Sequence, residues 1–221
     1  MTDTEKKDEL SHKDTLSEIR EIMSRSSRLT ILSGLSGVSA GVIALLGGIF
    51  FWVKYIKEEN SPVNTVFARG EMSQPLLQVT QLAIIIFIFA AISAFFFSLQ
   101  KAKRMDIDYQ SALAKRILLN HLVFLLTGGI FAFILGYYGV FFLIPSALLM
   151  IYGLTLLNFS KYTDDHIRNL GIAEIIIGII AAFFPAYSIW FWIFGFGVLH
   201  IAHGARMYYK YDKPADKEPI K

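Results

Sequence analysis

The chain has 221 residues, 54% of them hydrophobic and 18% charged, with a formal net charge of +3 and no cysteine. A soluble domain is usually about 45–50% apolar and about 25% charged, so the composition excludes an ordinary soluble globule and points to a polytopic membrane protein. The missing cysteines exclude disulfides, thiolate metal sites and thiol nucleophiles. The basic residues flank apolar blocks instead of forming one patch, which argues against a nucleic-acid surface.

Residues 1–28 form a polar arm, with 1–13 expected to be disordered. Thr15-Leu16-Ser17-Glu18 has the spacing of a capping box, with Thr15 as N-cap and Glu18 three residues on. Leu16, Ile19 and Met23 follow at i, i+3 and i+7, and Arg20, Arg25 and Arg28 make the rest basic. This pattern predicts an amphipathic helix that lies on the inner membrane surface or docks on a cytoplasmic protein partner. The first apolar block begins at Leu29. It is too long for a signal-peptide core of roughly 7–15 residues and is expected to stay as an anchor.

Four apolar blocks follow, at 29–53, 76–99, 117–157 and 170–207. A helix needs about 20 apolar residues to cross a bilayer, so the last two blocks are each two spans long. Gly136-Tyr137-Tyr138-Gly139 breaks one, and Pro185-Ala186-Tyr187-Ser188 breaks the other; glycine and proline there favour tight turns. The reading is all-α: six transmembrane helices as three hairpins, at 29–53, 76–99, 117–135, 139–157, 170–185 and 187–207, plus the N-terminal amphipathic helix. Residues 208–221 form a tail.

With the N-terminus inside and Arg206, at the end of span six, counted with the tail, the inner segments carry six, five, two and five Lys/Arg, and the outer ones carry only Lys54, Lys57 and Arg69. That asymmetry obeys the positive-inside rule and places both termini in the cytoplasm. Tyr208, Tyr209 and Tyr211 fall at the inner interface and Tyr137, Tyr138 and Tyr187 at the outer one, where aromatic rings anchor helices.

Span one carries two rows of small residues at four-residue spacing: Ser36, Ala40, Ala44, Gly48 and Ser33, Gly37, Gly41. Such rows let helix backbones approach closely. They serve either packing within the chain or the seam of a homo-oligomer. The two later hairpins resemble each other faintly, with Gly129 and Gly153 placed about one turn as Gly178 and Gly204 are about the other. Such a pattern fits a parallel repeat and equally fits the general frequency of glycine in membrane spans.

The polar residues of spans three to six gather toward the inner leaflet: Asn120 and His121, Thr155 and Asn158, Asn169 and Glu174, then His200, His203 and Arg206. His200, His203 and Arg206 share one helical row, since residues three apart are neighbours. Glu174 is the deepest carboxylate, and a charge in hydrocarbon needs a partner or water. Counting back from the turn at Pro185 puts Glu174 and His200 at similar depth, which predicts direct or one-water contact between Glu174 and His200 or His203.

Asn120, His121, Glu174, His200 and His203 are therefore the candidate ligand- or proton-binding residues. Four uses are open: a bond that pins spans five and six, a proton or solute site, a metal site of His121, Glu174, His200 and His203, and a haem between histidines. No catalytic residue, metal ligand or cofactor is assigned. There is no nucleophile elbow, glycine-rich phosphate loop or HExxH, so the chain is not read as an enzyme.

Several strings resemble a family of uncharacterised six-span bacterial inner-membrane proteins. They are Arg25-Ser26-Ser27-Arg28 before Leu32-Ser33-Gly34-Leu35-Ser36-Gly37, then Thr127-Gly128-Gly129-Ile130-Phe131, Lys161-Tyr162-Thr163, Gly171-Ile172-Ala173-Glu174-Ile175-Ile176-Ile177-Gly178 and Phe196-Gly197-Val198-Leu199-His200-Ile201. The resemblance covers most of the chain from about residue 16. It implies six spans, carries over Glu174 and His200, and suggests a regulatory protein partner. An aromatic often stands in that family where this chain has His203, which weakens the metal reading. The function read from the sequence is a membrane sensor or accessory protein; the alternative is a small-solute or proton-coupled transporter around Glu174 and His200.

Overall fold

The computed structural model describes residues 33–57, 74–104, 112–163 and 165–212. The arm with its expected amphipathic helix, and the end of the tail, lie outside the described residues. What is described is helical, with no strand. Six of its helices are long and apolar enough to cross a membrane: Gly34–Tyr55, Leu77–Arg104, Ala114–Tyr137, Phe141–Ser160, Asp165–Phe183 and Pro185–Lys210. They are called spans one to six below.

Local chemistry explains the helix ends. Span one starts at Ser33, whose side chain accepts from the Leu35 N–H and so satisfies one of the free donors of the first turn. Gly139 turns the chain between spans three and four with φ 74°, a conformation open to glycine at no steric cost. A short 3-10 turn, Phe141–Leu143, leads into the helix Ile144–Ser160, which has a proline in its first turn. Pro185–Tyr187 makes the corresponding 3-10 turn before span six. The helix of span two runs on to Arg104 and that of span three starts at Ala112, beyond the apolar blocks at 76–99 and 117–135. Lys and Arg are good helix formers, and Lys103, Arg104, Lys115 and Arg116 in these extensions are exposed.

Span six changes winding along its length. It is α-helical over Ser188–Trp192, π-helical over Ile193–Leu199, α-helical over His200–Met207 and π-helical again over Tyr208–Asp212. The sequence marks residues 208–221 as a tail; in the structure helix continues to Asp212.

The most extensive packing is between spans four and five and between spans one and six. Span two lies against span one, and span three against span four. Glycine sets both close seams. A Cβ on Gly153 would stand 2.6 Å from the Gly171 carbonyl oxygen, and one on Gly171 would stand 2.8 Å from that of Gly153. A Cβ on Gly204 would stand 2.6 Å from the Gly34 carbonyl oxygen, and one on Gly41 would stand 2.8 Å from that of Gly197. Backbones this close gain dispersion contacts that a lipid-solvated pair lacks. Gly37, Gly41 and Gly48 of the small-residue rows all face span six. The glycines of the faint repeat do different jobs: Gly178 is hard against Met150, while Gly129 has open space around it.

Candidate functional site

Glu174 lies midway along span five and has no exposed surface. It packs between the close glycine seam with span four and the π-helical segment of span six. Gly195, in that segment, faces it: a Cβ there would stand 2.6 Å from Glu174 Oε2 and 2.5 Å from Leu149 Cδ2. Any side chain at position 195 would displace the carboxyl group. A π turn is one residue wider than an α turn and is frequent at functional sites.

His200 ends the π segment and is 6% exposed. Its Nδ1 lies 3.0 Å from the Gly195 carbonyl oxygen and 3.3 Å from Glu174 Oε1. Both neighbours are acceptors, so Nδ1 carries the proton and donates to the carbonyl. Its Nε2 lies 3.0 Å from the Tyr152 hydroxyl; in the neutral ring it accepts from that O–H. Neither oxygen of Glu174 receives a hydrogen bond from the described residues. Spans four, five and six thus contribute a phenol, a carboxyl and an imidazole to one connected chain. The ring of Phe196 stacks on His200 (centroids 5.8 Å, 22° between planes) and also touches Tyr152 and Trp192.

The other candidates sit apart from this chain. The His203 ring faces His166 at 6.5 Å, and its Nε2 has no hydrogen-bond partner among the described residues. His166 Nε2 accepts from Lys210 Nζ at 3.0 Å. The His121 ring meets Phe159 edge-on at 5.2 Å. Neither His121 nor the half-buried Asn120 makes a hydrogen bond or ion pair with Glu174. The structure therefore joins Glu174 to His200 and leaves His203, His121 and Asn120 outside. Among the described residues, no three His, Asp or Glu side chains converge as a metal site would require.

Two groups escaped the sequence reading. Tyr152 is one; its signal is a phenol well inside an apolar block, where the hydroxyl needs a partner. The second is a clasp at the end of the bundle where spans one and six meet. Asp212 Oδ2 accepts from the Gly34 N–H (2.7 Å) and the Ser33 hydroxyl (3.0 Å), and Oδ1 pairs with Lys101 Nζ at 2.8 Å. Both charged side chains are 6% exposed. A carboxylate at a helix N-terminus is favourable in its own right, and here it ties spans one, two and six together.

The class so defined is an all-helical protein, with six helices able to cross a membrane around a buried carboxyl–imidazole–phenol chain. Comparison with protein-family models, curated proteins and solved structures finds no match at any of the three.

Proposed function

We propose that the chain is a non-enzymatic membrane sensor or accessory protein, with Tyr152, His200 and Glu174 as its responsive element. The observation that carries this reading is the closure of the site. Glu174 has no exposed surface, and the glycine opposite it leaves no room for a methyl group. A solute carrier needs a site that a solute can enter and leave. A buried two-acceptor, one-donor cluster instead has alternative hydrogen-bond arrangements that a small change can select.

The finer reading rests on the sequence. The Lys/Arg asymmetry supports both termini in the cytoplasm of a bacterial inner membrane, with the spans ordered as three hairpins. The family resemblance supports the same membrane. The capping box at Thr15 supports an amphipathic helix over residues 15–28, on the membrane or on a cytoplasmic partner. The contacts of span one with span six favour packing within one chain over a homo-oligomer seam for the small-residue rows.

The test is reconstitution in proteoliposomes, with a fluorophore on a single engineered cysteine at position 209. Sensor function predicts a change in the label's emission across a pH or solute series, with no flux above that of protein-free vesicles. Sustained flux would establish transport and overturn the reading.

A further inference from the structure

We infer that Glu174 is a proton-binding site, and that His200 reports its occupancy to the π-helical segment of span six. The inference rests on the sensor reading above and names what is sensed. Three observations carry it: a carboxyl group with no exposed surface, no hydrogen-bond donor on either of its oxygens among the described residues, and an imidazole N–H placed between that carboxyl and a backbone carbonyl.

The ligand class follows from space. A methyl group on Gly195 would stand 2.6 Å from Glu174 Oε2 and 2.5 Å from Leu149 Cδ2, so the gap between span six and the carboxyl holds no group of that size. A metal ion would bring further ligands, and the described residues offer no converging set. A proton needs neither room nor a coordination shell.

The binding step is the addition of one proton to Glu174 Oε2, which converts a carboxylate to a carboxylic acid. No other bond is made or broken. In the acid form the His200 Nδ1–H donates to the Gly195 carbonyl, which is the arrangement described here. In the carboxylate form a negative acceptor only 0.3 Å farther from Nδ1 competes for the same hydrogen. Hydrogen bonds to charged acceptors are roughly twice as strong as neutral ones, so the N–H turns to Oε1. The Gly195 carbonyl, inside the π-helical segment, then loses that side-chain donor. Proton occupancy and the hydrogen bonding of the π-helical segment are thereby coupled.

Tyr152 is a positioning residue. Its hydroxyl occupies Nε2 and keeps Nδ1 as the edge that chooses between Glu174 and Gly195. The titratable groups around Glu174 are Tyr152 from span four and His200 from span six, with His203, Arg206 and His166 farther along spans six and five.

The experiment uses the full chain in lipid nanodiscs. Infrared spectra over a pH series, with and without carboxyl-¹³C glutamate, identify a glutamic-acid C=O band without any substitution. Magic-angle NMR of ¹⁵N-histidine samples follows the ring nitrogens. The expected result is one glutamate C=O band that rises to full intensity and disappears over the series, with one Nδ1–H resonance moving in step. Glu174→Gln should abolish the band and hold that resonance still; Tyr152→Phe should keep the band and shift the His200 Nε2 resonance, which loses its O–H donor, while Nδ1 stays protonated. A Glu174 band of constant intensity wherever the protein stays folded would overturn the inference. So would a band that changes while every histidine resonance stays fixed. A label at position 209 that still responds in the first case would leave the sensor reading standing, whereas sustained flux would remove that reading even if Glu174 binds a proton.

Discussion

Spans five and two are both apolar helices, yet they relate to the rest of the chain in opposite ways. A third of the apolar window of span five is buried within the protein, against 6% for span two. Span five carries Gly171, Glu174 and Gly178 on the face that meets spans four and six. Span two turns Phe89, Phe95 and Phe96 outward and packs along span one. The difference teaches that apolarity does not mark the inside of a membrane protein, because lipid tails solvate leucine and phenylalanine as well as a protein core does. Small residues and partnered polar groups mark it instead.

The largest effect is expected where a buried charge loses its partner. Lys101→Met strips Asp212 of its cation at the end of span two, the one place where that span is built into the interior. Breaking a buried pair costs about 3–5 kcal/mol, and Lys101→Met with Asp212→Asn together should recover much of it. Denaturant titrations in mixed micelles would read both; equal losses in the single and double variants would show the clasp to be unimportant.

Next come the seams. Gly171→Ala or Gly204→Ala places a methyl against backbone of the facing span, and overpacking typically costs about 1–3 kcal/mol. The same titration applies, and a neutral outcome at both positions would dissolve the contrast between close-packed and lipid-facing spans. Gly195→Ala should lose a similar amount and also displace the Glu174 carboxyl group, which the infrared band would register.

Gly139→Ala asks for a positive φ from a residue with a Cβ, at about 1–2 kcal/mol. The smallest effect belongs to span three. Gly129 has nothing within 4 Å of its Cβ position, so Gly129→Ala should cost nothing and gain up to about 1 kcal/mol from helix propensity. A loss there as large as at Gly171 would mean that span three has a partner it does not touch in this arrangement.

The buried polar pair also corrects a simple expectation about substitution. A histidine whose only partner is Glu174 would be stranded by Glu174→Leu. The Gly195 carbonyl and the Tyr152 hydroxyl retain His200 in that variant. Glu174→Leu should therefore cost little beyond its shape mismatch, since removing a buried carboxyl that lacks donors is close to neutral. A thermal shift in nanodiscs checks this, with a large destabilisation as the opposing result.

By itself the sequence determined the number of the apolar helices, the turns at Gly139 and Pro185, and the matching depth of Glu174 and His200. Each follows from quantities that add along the chain: about 20 apolar residues per crossing, a fixed rise per residue, and turn residues that interrupt a long block. Only the tertiary structure decided that span four lies closest to span five and span one to span six, because glycines distant in sequence must meet before either seam exists. It also decided the partner of Glu174. His200 and His203 share a helical row and are equivalent in sequence, and the packing of span six on span five puts the first at the carboxyl and the second, one turn on, beside His166. Tyr152 and Asp212 were hidden for the same reason. A tyrosine in an apolar block looks like any other aromatic, and an aspartate beside a basic tail looks solvated, until the packing of other spans removes water from both.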